Sequence, residues 1–145
     1  MNIQYVFRDM TELEYKQELA AFDENGLGYG NTPEKQERFG FVATQDGIYI
    51  GSSSGLAMKQ DSGYGKYFYL SDLLVEKDFR KKGIGSNLLQ LLEEEMKSKG
   101  VEYIWTWTSE YEGKDFYKKM GYEGFIEFKS FYPSGHSRIG FIKRI

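Results

Sequence analysis

Six consecutive residues, Arg80-Lys81-Lys82-Gly83-Ile84-Gly85, carry the most specific chemical signal in the chain. They lie between an apolar run ending in Leu73-Leu74-Val75 and a segment of helical period that begins at Ile84. Three cations and two glycines thus meet at a helix start. Glycines let the backbone approach a ligand closely, and first-turn N–H groups together with the helix dipole favour an anion there. In a chain of net charge −3, this local positive charge points to a single phosphate or pyrophosphate rather than to a long polyanion. The same residues also read as a glycine-relieved strand-to-helix turn with solvated lysines, and spacing alone does not choose between the two. No Gly-Lys-Ser/Thr follows, which excludes a Walker loop. The dinucleotide fingerprint fails as well, lacking its third glycine and the acidic residue about twenty positions later.

Composition removes several other chemistries. The 145 residues contain no cysteine, so a disulfide framework, a thiolate metal site and a cysteine nucleophile are excluded. One histidine, His136, cannot form a metal-binding cluster, and no metal is expected. The acidic balance argues against nucleic acid as a partner. No apolar run approaches the ~18–20 residues that cross a membrane, and the first twenty residues carry six charges. A single cytoplasmic domain over residues 1–145, of enzyme size and with no membrane partner, is the expectation.

The elements that must position the turn follow from local patterns. Asn2 to Arg8 alternates and is expected as a short strand. Thr11 with Glu14 forms a capping-box signature for a helix reaching about Asp23. A helical turn is expected at Pro33 to Arg38. Phe39–Thr44 and Ile48–Met58 flank Asp46-Gly47 as a hairpin, and Asp61 to Gly65 is a further turn. Tyr67 to Val75 reads as a strand buried on both faces. Ile84, Leu88, Leu89, Leu91, Leu92 and Met96 share a helical face, and Gly100 should stop that helix. Val101 to Thr108 alternates as a strand, Gly113 to Met120 forms a short helix, and Phe125–Tyr132 and Ile139–Ile145 pair around the turn at Pro133 to His136. A long helix between two strands implies a parallel crossover, hence an α/β chain with a mixed sheet flanked by helices.

These residues resemble a known family. Arg80-Lys81-Lys82-Gly83-Ile84-Gly85 matches the Arg/Gln-x-x-Gly-x-Gly/Ala signature of the GCN5-related N-acetyltransferase (GNAT) superfamily, in particular its small bacterial-type members. Phe116-Tyr117-Lys118-Lys119-Met120-Gly121-Tyr122 is similar to that family's Phe-Tyr-x-x-x-Gly-Phe/Tyr. The resemblance implies a mostly antiparallel sheet of six or seven strands, splayed between the strands at 67–75 and 101–108 and flanked by three or four helices. It implies acetyl-CoA as donor substrate. Its pyrophosphate would sit on Arg80, Lys81, Lys82, Gly83, Ile84, Gly85 and Ser86, and its pantetheine arm along Leu73, Leu74 and Val75. Lys77 and Glu110 depart from the family pattern, where a proline and an asparagine are common; the second departure puts a familiar cofactor contact in doubt.

The implied reaction is acetyl transfer to a primary amine, with Tyr117 as general acid on the departing thiolate. An amine of pKa ~10.4 is neutral in only about one molecule per thousand near neutral pH, so a base is useful. Asp72, Glu110 and His136 are the candidates, beside a water chain with no single base. Without cysteine, attack must be direct, in a ternary complex. A small-molecule amine is the expected acceptor and a peptide or protein amine the alternative; Tyr29, Trp105, Trp107, Phe131 and Tyr132 could line an apolar or cation-stacking pocket, or serve only as core or strand-face aromatics. A non-catalytic module that binds CoA or pantetheine is the competing class. Pairing of edge strands would allow a homodimer.

Overall fold

The computed structural model describes every residue from Met1 to Ile145, in two compact units, Met1–Glu34 and Lys35–Ile145. The first holds helix α1 (Glu12–Leu27). Its capping box is complete: the Glu14 N–H donates to the Thr11 hydroxyl and the Thr11 N–H to the Glu14 carboxylate. Arg8 also holds that carboxylate at 2.7 Å, and this bond keeps the Glu14 acid down at about 2. The helix outlasts its expected end by four residues. Asn2 to Arg8 forms no strand; alternation supplies a face, but a strand also needs a partner ladder to satisfy its N–H and C=O groups.

The second unit is built on six strands, β1 (Lys35–Gln45), β2 (Ile48–Lys59), β3 (Tyr64–Val75), β4 (Tyr103–Ser109), β5 (Glu123–Phe128) and β6 (Arg138–Arg144), in the order β1-β2-β3-β4-β6-β5. All neighbours are antiparallel except β3 and β4, which the helix α2 (Ile84–Ser98) joins in parallel. A second helix, α3 (Lys114–Lys119), lies between β4 and β5. No helical turn forms at Pro33 to Arg38; pairing of Lys35 to Arg38 with Lys59 to Leu56 draws that stretch into β1 instead. Only one face of β3 is buried, with Phe68 and Leu70 inside and Tyr67 54% exposed. The last hairpin is shorter than expected, since β5 ends at Phe128 and Ser130 turns with φ 51°.

The core lies on the α2 and α3 side of the sheet. Leu89, Leu92 and Met96 of α2 pack with Phe68, Leu70, Ile104 and Phe141 of the strands, and Tyr117 and Tyr122 complete the cluster. Burial of these four side chains from β3, β4 and β6 contributes of order 10 kcal/mol before entropy is counted. Gly100, with φ 88°, ends α2 where the notional next turn would need a left-handed residue. No helix is long and apolar enough to cross a membrane.

Candidate active site

The parallel pairing of β3 and β4 is brief. It runs from Tyr67↔Tyr103 to Tyr69↔Trp105 and then stops. At the point of separation the Thr106 hydroxyl donates to the Leu70 carbonyl at 2.8 Å, taking the place of the next ladder bond. A bulge in β3 falls at the same level, where Ser54 and Gly55 of β2 face Asp72 and Leu70 and leave Ser71 unpaired. Bulges bend a strand and shift its pairing parity by one residue. Beyond the bulge the Glu76 N–H donates to the Ile50 carbonyl, which fixes the parity: Asp72 and Leu74 turn their main-chain groups toward β2, Leu73 and Val75 toward the gap.

A cleft of about 370 Å³ occupies that gap. Leu73 and Val75 form one wall, Arg80, Lys81 and Gly83 to Ser86 the floor, and Thr108, Glu112, Gly113, Phe116 and Tyr117 the opposite side. The floor is a strained turn. Lys81 has φ 62° and Gly83 φ 79°; a non-glycine residue in the left-handed region is costly and concentrates at functional sites. Gly83 caps α2 without any side-chain acceptor, and the first turn carries no acidic residue. The N–H groups at the start of α2 therefore remain open toward the cleft, in the electrostatic setting that suits an anion.

Arg80 lines the cleft and is held in place there by one bond. Its Nε donates to the Val75 carbonyl at 2.9 Å, joining the end of β3 to the turn. Lys82 does not line the cleft; its ammonium lies 5.5 Å from the Phe79 ring centre. Leu74 points to the other face of the sheet and is 48% exposed.

Tyr117 reaches the cleft from α3 and is almost wholly buried. Burial pushes its phenol up to about 12, with the neighbouring Thr106 hydroxyl pulling in the opposite direction. Its ring stacks on Phe141 at 5.9 Å and meets Tyr122 edge-on at 5.4 Å. Gly113, which caps α3, is in close approach to Thr108 and Tyr117; a Cβ there would collide with the Thr108 hydroxyl.

The three base candidates lie outside the cleft lining. Asp72 is exposed on the bulge, bonded to the Ser71 hydroxyl at 2.7 Å and 3.6 Å from Arg38. Glu110 accepts the Ser137 N–H at 2.7 Å and ties the end of β4 to the start of β6. The His136 ring faces Tyr111, with Nδ1 2.8 Å from the Ser134 hydroxyl. The structure adds Thr108, Gly113 and Phe79 to the cleft. No local pattern marks Thr108 or Phe79; Gly113 was visible only as a helix-start glycine.

The acetyltransferase (GNAT) family model matches residues 4–122. Among solved structures, an acetyltransferase from Bacillus cereus is 24% identical, with a TM-score of 0.81 over 97% of this chain and 98% of that one. An aminoglycoside 6'-N-acetyltransferase complexed with coenzyme A is 21% identical, with a TM-score of 0.63 over 74% of this chain and 73% of that one. Arabidopsis thaliana Naa50, in complex with a bisubstrate analogue, is 22% identical with a TM-score of 0.62 over 73% of this chain and 72% of its own. At these identities the likeness concerns the fold. No curated protein matches the chain.

Proposed function

This chain belongs to the acetyltransferase (GNAT) family, and on that premise we propose that it transfers an acetyl group from acetyl-CoA to a primary amine of a small molecule in the cytoplasm. The observation that carries the reading is one cleft in which three things meet: an unpaired strand edge at Leu73, the open N–H groups at the start of α2, and the buried phenol of Tyr117. An extended amide-bearing arm finds a strand edge to pair with, its pyrophosphate finds the turn from Lys81 to Ser86, and its thioester end falls on the Tyr117 side. The related complexes with coenzyme A and with a CoA-peptide analogue are consistent with that occupancy.

In this reading the neutral amine attacks the thioester carbonyl, the C–N bond forms, the C–S bond breaks, and the nitrogen loses a proton to water. The Tyr117 hydroxyl donates to the sulfur as charge develops there and recovers its proton from solvent. A phenol at about 12 does not readily protonate a solvated thiolate of pKa about 8.5. The same loss of water that raises the phenol also raises the thiolate, which narrows the mismatch inside the cleft. With Asp72, Glu110 and His136 all outside the lining, we assign removal of the amine proton to water rather than to one side chain. Glu112 is the one carboxylate in the cleft lining and would polarise that water.

Calorimetry with CoA, followed by thiol release from acetyl-CoA on an amine panel, tests the reading. Tight binding with amine-dependent thiol release is expected. Binding without turnover on any amine would favour a pantetheine-binding module, and no binding at all would overturn the assignment.

A further inference from the structure

The face of the sheet opposite the cleft is paved with aromatic rings, and its cations are already in place. Tyr67 stacks on Tyr103 at 5.0 Å, Tyr69 lies against Trp105 at 4.5 Å, and Trp107 stacks on Phe128 at 5.4 Å. Such a surface suits a cationic amine only where it is vacant. Over Trp107, Phe131 and Tyr103 it is not. The Arg138 guanidinium sits 5.3 Å from the Trp107 ring centre and 5.2 Å from that of Phe131, and Arg144 sits 5.8 Å from Tyr103.

Arg138 has no carboxylate within ion-pair distance and no hydrogen-bond partner for its side chain. Two aromatic rings hold it, which fixes the plane of a fork built for bidentate anion recognition. Directly across the β4/β6 ladder lies Ser109, so the two side chains leave the sheet on the same side. Ser109 is 4% exposed, and its hydroxyl is the one buried side-chain polar atom without a partner. Unsatisfied buried hydroxyls are uncommon and call for an explanation. Their level in the sheet is also informative: Thr108, the neighbour of Trp107 and Ser109, lines the donor cleft on the other face. The Arg138–Ser109 pair is thus one residue along β4 from the cleft lining, on the opposite face of the sheet.

We propose that the acceptor is an amine that also bears a carboxylate, with Arg138 holding the carboxylate and Trp107 and Phe131 flanking an apolar body. This rests on the acetyltransferase reading and specifies its substrate class. A purely cationic acceptor would meet Arg138 as a like charge on the surface that should welcome it.

Matched amines separate the alternatives: tryptophan against tryptamine, and phenylalanine against phenethylamine, assayed by thiol release from acetyl-CoA. The carboxylate-bearing member should be favoured by about 10-fold or more in kcat/KM, the scale of a charge-assisted hydrogen bond. Arg138→Gln should erase that preference through KM while acetyl-CoA affinity persists, and Arg138→Lys should keep part of it. Equal rates for the two members, or a preference unmoved in Arg138→Gln, would overturn the proposal with the acetyltransferase reading intact. Direct binding gives a second readout free of turnover, because Trp107 lies against Arg138. N-acetyltryptophan should bind more tightly than N-acetyltryptamine by calorimetry, and Arg138→Gln should level them. Equal binding to the wild-type protein would sink the carboxylate site whatever the fate of catalysis.

Discussion

The Nε of Arg80 and the main-chain oxygen of Val75 are 2.9 Å apart, so the first cation of the glycine turn closes back onto the last residue of β3. The strand edge and the helix start that form the cleft are thereby held as one piece. Arg80 acts as a positioning residue for the anion site, through Val75. Arg80→Gln should weaken CoA affinity by about 10-fold, in line with loss of a charged hydrogen bond. Lys82→Ala, at a position turned toward Phe79, should cost less. Calorimetry with CoA on both variants checks the order, and wild-type affinity in Arg80→Gln would remove the positioning role.

Gly83 and Gly85 should fail in different ways. A Cβ on Gly85 would sit 3.5 Å from Val75 Cγ2 and 3.7 Å from the Phe116 ring, ordinary contact for the protein alone. Gly85→Ala should therefore hold or raise Tm, since alanine is favoured in a helix by up to about 1 kcal/mol, and yet lose CoA binding by filling the cleft. A Cβ on Gly83 meets nothing within 4 Å, but φ 79° strains it; Gly83→Ala should cost about 1–2 kcal/mol of stability. Thermal melts with and without CoA separate the two effects.

Tyr117 is protonated throughout the working range because burial holds it near 12. The rate should climb with pH as the amine loses its proton and should show no downturn below about pH 10 from loss of the phenol. Tyr117→Phe should lower kcat by about 100-fold, a typical contribution from one proton donor, with little change in CoA affinity. Wild-type kcat in that variant across pH would take Tyr117 out of the mechanism.

The same raised pKa has a consequence for stability. A tyrosine held above its unfolded value near 10 binds its proton more tightly when folded, so its contribution is intact below pH 10 and is lost as pH rises toward 12. Burial and the adjacent Glu93 carboxylate raise Tyr122 in the same direction. Tm should fall steeply above pH 10, and Tyr117→Phe should flatten that fall. Melts between pH 8 and pH 11 measure it.

Glu93 lies buried on α2 between the Tyr122 hydroxyl at 2.8 Å and the Lys143 ammonium at 3.1 Å. Removing it leaves a half-buried cation and a buried phenol without their shared acceptor. Glu93→Ala should cost about 3 kcal/mol, and Glu93→Gln less, because an amide oxygen still accepts from Tyr122. Urea unfolding of the two variants gives the comparison.

Local pattern went far in this chain. The face of α2 read from Ile84 to Met96 (apart from Leu91, which is exposed), its stop at Gly100, the hairpin turn at Asp46-Gly47 and the cation-glycine turn at 80–85 are encoded by neighbours in sequence, since caps, turn dihedrals and a helical stripe are short-range properties. What failed depended on partners far along the chain. Asn2 to Arg8 has a strand's alternation and no strand, while Lys35 to Arg38 follows a proline and becomes one, because β2 pairs with it. Asp72, Glu110 and His136 are chemically equal to any base in a list of residues. Only the tertiary structure set them outside the cleft, placed Thr108 and Gly113 within it, and tied Arg80 to the Val75 carbonyl. It also laid Arg138 over Trp107 and Phe131. Residue types and their near spacing determine which chemistry a chain carries; which groups share a cavity is decided by strand register and the point at which β3 and β4 part, and those are set by pairing across the whole sheet.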